Sequence, residues 1–440
     1  MLKDLGVNHY RFSISWARIL PNGLNTTINQ KGISYYNNLI NELLKNKITP
    51  FVTIYHWELP QSLQDRNGWL NDEIADWFGD YARVLYRSFG DRVKYWITIN
   101  EPRVHCYLGY GSGEHAPGIS MQGIGDYLCG RNTLLANAKA WHIYNSEFRA
   151  TQNGQVGISN DGIWALPSTN STDDAAAVAD YMDFTFGQFM NPIFSSEGNY
   201  PANMIRRVEL ASQQQGFVES RLRPFTTEQI NYIKGTADFL GLNHYSTYLI
   251  YRNNSVANLH PIPSTQNDGF YGTYQNSSWT PTQSDWIREY PKGFHSLLVY
   301  IKNTYSTRNI PIYITENGMS TTSGLNDDGR VRFHRQYLDA VLDAIDDGVN
   351  IQGYAAWSLM DNFEWDYGYT MKFGLYRVNF DSSSRTRTAR KSALVYKDII
   401  RTRSINYTYN PDVPDGAFSN NGAGFFVVLL AAITIITGKL

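Results

Sequence analysis

The chain has 440 residues, a formal net charge of -2, 18% charged and 14% aromatic residues. It is long enough to bury a large core, and its near-neutral balance, with no basic run, excludes the footprint of a nucleic-acid partner while suiting a neutral small-molecule ligand. Cys106 and Cys129 are the only cysteines, which excludes a disulfide framework and metal-type ligand spacing; in helix-like surroundings they read as two buried free thiols rather than one bridge.

Apolar, β-branched runs alternate with helical patterns from one end to the other. Buried strands are expected over residues 9–14, 50–55, 93–99, 155–159, 239–243, 312–315 and 353–357. Between them, helices are expected over 35–44, 74–89, 131–151, 178–189, 293–305 and 330–347. The alternation predicts parallel strands with crossover helices, and without a dinucleotide-type glycine fingerprint it favours a closed α/β barrel over a doubly wound sheet. In such a barrel the loops after the strands carry the chemistry.

Those strands end in polar residues. The second runs into "YHWELP", placing His56 and Trp57 at its tip. The third runs into Asn100 and Glu101, where Pro102 stops it. The fifth ends at Asn243 with Tyr245 beyond, the sixth at Glu316, and the seventh leads through Trp357 to Glu364 and Trp365. Each residue taken singly has a bland reading as packing or a solvated charge. Their repetition at strand ends points to one mouth.

Two carboxylates in a mouth without a metal cluster or a Ser-His or Cys-His motif suit glycosidic bond cleavage, which needs one carboxyl group to protonate the leaving oxygen and another to attack or to activate water. Indoles stack on sugar faces. Amides, an imidazole and carboxylates bond hydroxyls, and neither cofactor nor metal is called for.

"YRFSISW" (10–16), "YHWELP" (55–60), "ITINEP" (97–102), "YITENG" (313–318), "WSLMDNFEW" (357–365) and "FGLYRVNF" (373–380) together resemble the signatures of glycoside hydrolase family 1, the retaining β-glucosidases and their relatives, in the family's order and over nearly the whole chain. The resemblance implies a (β/α)8 TIM barrel over 1–406, with Glu101 as general acid and base and Glu316 as nucleophile, their carboxyl groups about 5–5.5 Å apart. It implies that Arg11 and Tyr245 hold Glu316 ionised while Glu101 stays protonated in a more apolar setting. It assigns Asn100 to the sugar 2-hydroxyl, His56 to the 3-hydroxyl, Trp357 to the floor, Glu364 with Trp365 to the 4- and 6-hydroxyls, and Trp286 to the leaving group. Trp57 and Asn243 belong to the same sugar-binding set. A carboxylate at 364 would repel a 6-phosphate. The resemblance also leaves open a catalytically silent sugar-binding relative and a thioglucosidase; the plant thioglucosidases replace the acid by glutamine, against which Glu101 argues.

Two departures follow. The family's first strand, bearing a glutamine for the 3- and 4-hydroxyls, lies upstream of "YRFSISW", so the expectation is a barrel lacking its first strand, an N-terminally truncated chain that is poorly soluble and inactive by itself. The tail, 407–440, ends in the apolar run 425–437, which at 13 residues falls short of the roughly 20 a bilayer span needs. Small residues around Asp415 followed by a short polar spacer and that run resemble a glycosylphosphatidylinositol signal, the alternatives being a marginal transmembrane anchor and an ordinary disordered end. With five Asn-x-Ser/Thr sites, at Asn25, Asn170, Asn253, Asn276 and Asn406, this predicts the secretory pathway and the outer face of a plasma membrane.

Overall fold

The computed structural model describes residues 1–255, 262–322 and 324–414. Seven strands form its central sheet: β1 (His9–Ser13), β2 (Thr49–Tyr55), β3 (Tyr95–Asn100), β4 (Gln155–Asp161), β5 (Leu240–Asn243), β6 (Ile312–Asn317) and β7 (Ile351–Ala356). They pair in chain order, every pair parallel, and curl into a barrel that is nearly closed. All seven expected strands are present. Strands covered on both faces favour apolar residues, which is why Val52, Ile54, Trp96, Ile97 and Ile99 have no exposed surface, with only Thr53 and Thr98 interrupting them.

The helices that bear on the site and its frame are α1 (Gln30–Lys45), α2 (Ile74–Phe89), α3 (Pro102–Cys106), α4 (Gly125–Ile143), α5 (Thr172–Met182), α6 (Pro291–Thr304), α7 (Asp328–Asp346) and α8 (Lys391–Thr402), with further helices, Ala202–Gln214 among them, and turns between. In α2 the buried Ile74, Phe78, Tyr81, Leu85 and Phe89 recur at helical spacing, one stripe against the barrel. The helix expected over 131–151 begins at Gly125 and gives way to a π-helical turn, Tyr144–Phe148, before a last turn, Arg149–Gln152. Its start is illegible in sequence because α4 is buried nearly all round, Asp126, Asn132 and Asn137 included, so no apolar stripe marks it.

Inside the barrel the side chains stack in layers. At the bottom, Phe51 lies 4.3 Å from Tyr95 and Phe239 lies 5.1 Å from Tyr313, ring centre to ring centre. Above them come hydroxyls: Ser159 Oγ and Thr315 Oγ1 are 2.7 Å apart, and Thr53 Oγ1 accepts from Arg11 Nε at 3.1 Å. The carboxyl groups of the mouth sit on that polar layer.

Among the described residues β1 pairs only with β2 and β7 only with β6, so each presents an unpaired edge. Between them lies a cleft of about 1180 Å³, lined by Tyr10, Phe12, Tyr354 and Trp357 among others. A three-stranded sheet, Trp164–Pro167, Thr247–Arg252 and Tyr271–Tyr274, stands beside the mouth.

The expectation of two free thiols is corrected. Cys106, the last residue of α3, and Cys129, in the second turn of α4, form a disulfide across a Cα–Cα distance of 5.5 Å. The intervening segment folds back so that α4 lies against α3. A lone pair 23 residues apart carries no record of that return in its spacing.

Past α8 the chain climbs the outside of α7: Arg335 Nη2 donates to the Tyr409 carbonyl at 2.5 Å and Asn326 Nδ2 to that of Val413 at 2.9 Å. Asp415 and the apolar run 425–437 lie outside the described residues. No helix among the described residues is long and apolar enough to cross a membrane.

Candidate active site

Both strands that end in glutamates are irregular just before them. The β3–β4 register shifts between Ile97 and Asn100, and the β6–β5 register between Ile314 and Glu316. Such bulges re-aim the side chains that follow. Glu101 then takes a left-handed backbone, φ 45°, ahead of Pro102 at the first position of α3. Trp57 and Trp365 also have positive φ, at 81° and 45°. Three strained non-glycine residues around one mouth mark a place where geometry outweighs local comfort.

A cavity of about 480 Å³ opens there, and eleven of the twelve residues singled out from sequence line it: His56, Trp57, Asn100, Glu101, Asn243, Tyr245, Trp286, Glu316, Trp357, Glu364 and Trp365. Arg11 lies just beneath, lining the cleft beside β1.

The two glutamates stand in unlike surroundings. Glu316 accepts from Arg11 Nη1 at Oε1, 2.5 Å, and from the Tyr245 hydroxyl at Oε2, 2.8 Å, both ion-pair partners being buried. Among the described residues the Glu101 carboxyl accepts one hydrogen bond, from Asn243 Nδ2 at Oε1, 2.6 Å. Burial pushes the Glu101 carboxyl well above the usual range, and the negative charges of Glu316 and Asp161 push it further. One carboxylate is thus clamped by a cation and a hydroxyl; the other favours its proton.

Asn100 is pinned between them. Its Oδ1 accepts from Arg11 Nη2 at 2.5 Å and from Asn243 Nδ2 at 3.1 Å, so its Nδ2 faces His56 Nε2, 3.1 Å away. The imidazole accepts that bond as a neutral ring, burial and the Arg11 charge holding its pKa well below normal. Trp57 Nε1 donates to the Asn100 carbonyl at 2.7 Å and its ring stacks on Trp365 at 4.6 Å. Glu364 is raised to about 7, first by burial and then by Glu316. Trp286 packs edge-on against Tyr245 at 5.4 Å while still facing the cavity.

Sequence reasoning missed a second group in the same lining. Arg103, two residues beyond Glu101, donates from Nε and Nη2 to Asp161 Oδ2 at 2.7 and 2.5 Å, beside Tyr107, Tyr181, Tyr248 and Tyr271. The step from Glu101 to Arg103 and the position of Asp161 at the end of β4 were usable signals. The tyrosines, scattered over separate elements, offered none.

A parallel barrel with two carboxyl groups of unlike environment at the ends of two strands facing one cavity, lined by indoles and amides, defines a glycoside-cleaving enzyme. The chain belongs to glycosyl hydrolase family 1, whose profile it matches over residues 1–405. It is 43% identical over 405 residues to Myrosinase 1 of Brevicoryne brassicae, covering 91% of this chain and 85% of that protein. With the human cytosolic beta-glucosidase it shares 44% over 409 residues, 92% and 85% of the two chains. With the human lactase/phlorizin hydrolase it shares 43% over 404 residues, 91% of this chain but 21% of that protein. The solved aphid myrosinase superimposes with a TM-score of 0.86 at 42% identity, 91% of this chain on 85% of that one. A rice beta-glucosidase mutant solved in a covalent complex with Glc gives 0.83 at 38%, 90% on 84%.

Proposed function

We propose that the chain is a retaining β-glucosidase, cleaving terminal β-D-glucosyl residues through a covalent glycosyl-enzyme. The observation that carries this reading is the contrast within the pair: Glu316 clamped by Arg11 and Tyr245, Glu101 buried and holding its proton. Glu316 attacks the anomeric carbon as Glu101 protonates the leaving oxygen; Glu101, now a base, takes a proton from water as the water displaces Glu316. Asn100 and His56 bond the 2- and 3-hydroxyls, Glu364 and Trp365 the 4- and 6-hydroxyls, and Trp357 forms the floor. A silent sugar-binding relative would have no use for two carboxyl groups so differently set.

The test is hydrolysis of an aryl β-glucoside, by the 440-residue chain and by the same chain with a strand-bearing segment of a relative placed before Met1. Glu316→Ala reduces turnover of every substrate to background. Glu101→Ala keeps glycosylation by a dinitrophenyl glucoside, and azide partly rescues it to give the β-azide. An inverted azide from the Glu101 variant would reverse the two roles; no hydrolysis by either preparation would sink the reading. The likeness to Myrosinase 1 favours a second reading, a thioglucosidase, which a higher kcat/KM on a thioglucoside than on its oxygen counterpart would establish.

We further infer delivery through the secretory pathway to an outer membrane face, with cleavage near Asp415 and a lipid anchor replacing the apolar tail. The disulfide and the exposed Asn25, Asn170 and Asn406 sites support this reading. Phosphatidylinositol-specific phospholipase C should release the protein from intact cells; full retention would point to a spanning tail.

A further inference from the structure

Beyond the carboxyl pair the cavity runs on, between the start of α3, the end of β4 and the three-stranded sheet, and its about 480 Å³ exceeds what one hexose fills. Its walls there are aromatic: Tyr107, Tyr181, Phe184, Tyr248 and Tyr271. Arg103 stands among them, its Nε and Nη2 bound to Asp161 and its side chain 21% exposed. Nη1 makes no hydrogen bond among the described residues, nor do the hydroxyls of Tyr107, Tyr248 and Tyr271, and none of these atoms is sealed from the cavity. A guanidinium held by one edge with its remaining nitrogen unspent is a fixed donor. Carboxyl groups outnumber the single guanidinium in the whole lining, Glu114, Asp126 and Asp285 among them, so the field repels an anion.

We propose that this half of the cavity recognises an uncharged aromatic leaving group carrying an oxygen acceptor away from the glycosidic bond, and that Arg103, fixed by Asp161, is the residue that reads that oxygen. Flat walls bury the ring, and the phenol hydroxyls serve further oxygens on it. A second sugar would present hydroxyl donors and acceptors in equal measure to a wall rich in donors. An anionic aglycone meets the excess of carboxylates. The proposal rests on the β-glucosidase reading for its substrate and names what that reading leaves open.

The experiment, run on the chain with a strand-bearing segment placed before Met1, compares phenyl β-glucoside, with no ring acceptor, with methylumbelliferyl β-glucoside, whose lactone oxygens lie at the far end of the ring system, and with cellobiose. The variant is Arg103→Met with Asp161→Asn, which removes both charges together and leaves no lone carboxylate beside Glu101. The ratio of kcat/KM for methylumbelliferyl over phenyl glucoside should fall about tenfold, a bidentate or fixed charged donor being worth that much. Arg103→Lys, which keeps the charge without the fork, should lose most of the same ratio. Equilibrium binding of free methylumbelliferone to the full chain, read by quenching of tryptophan fluorescence, should weaken by a similar factor and does not depend on turnover. An unchanged ratio, or cellobiose cleaved more efficiently than the methylumbelliferyl glucoside by the parent, would overturn the proposal. Absence of phenyl glucoside hydrolysis with methylumbelliferone still bound through Arg103 would instead count against the catalytic reading alone.

Discussion

Glu101 and Glu316 are chemically the same side chain, and their surroundings separate them. Arg11 and Tyr245 occupy both oxygens of Glu316, whereas Glu101 meets one amide and two neighbouring negative charges. Asp161 is the removable one of those charges. Glu101 acts as an acid only while protonated, so kcat/KM falls as pH rises through its pKa. Asp161→Asn deletes a charge that opposes ionisation and leaves Arg103 to favour it, so both effects ease loss of the proton. The alkaline limb of the kcat/KM profile should therefore move to lower pH. A limb that stays in place or moves up would show that Asp161 does not act on Glu101. The roles of His56, Trp57 and Asn243 were readable at the residue level only as types; that Asn100 binds the imidazole and Trp57 binds the Asn100 backbone depends on strands 44 residues apart meeting at one height.

At the scale of elements, the strands were legible and the bulges were not. A strand buried on both faces leaves a continuous apolar run, whereas a one-residue slip between Ile314 and Glu316 leaves no trace in composition. The helix that begins just after Glu101 and carries Arg103 has five residues and is tied at its far end by the Cys106–Cys129 bridge. The bridge closes a loop of 23 residues, for which chain-entropy arguments give about 3 kcal/mol. Replacing both cysteines by serine should lower the thermal midpoint, with activity on aryl glucosides lost before the bulk of the far-ultraviolet signal. Identical melting of the oxidised protein and the double variant would mean that the bridge is not formed in the protein studied.

For the whole molecule, the edges of β1 and β7 decide the behaviour of these residues. Among the described residues each exposes a row of unpaired backbone groups to a cleft of about 1180 Å³, and Tyr10, Phe12 and Tyr354 are left half-buried along it. Open parallel edges of this kind recruit other chains. The 440-residue chain expressed alone should be poorly soluble and inactive on aryl β-glucosides, and a strand-bearing segment placed before Met1 should restore both solubility and Glu316-dependent turnover. Measurable, Glu316-dependent hydrolysis by the 440-residue chain would show that seven strands suffice.

The sequence by itself determined the alternation of strands and helices, the polar strand tips and the family, because burial on both faces and the chemistry of a sugar site each impose residue types at fixed places in the chain. It also placed Glu101 and Glu316 at strand ends. Only the tertiary structure decided that the two cysteines meet, that Arg103 is held by Asp161, and that tyrosines from separate elements share one wall. The reason is the same in each case: these are contacts between segments far apart in the chain, made by side chains whose identity is compatible with many other surroundings, so their meaning arises from where the backbone carries them.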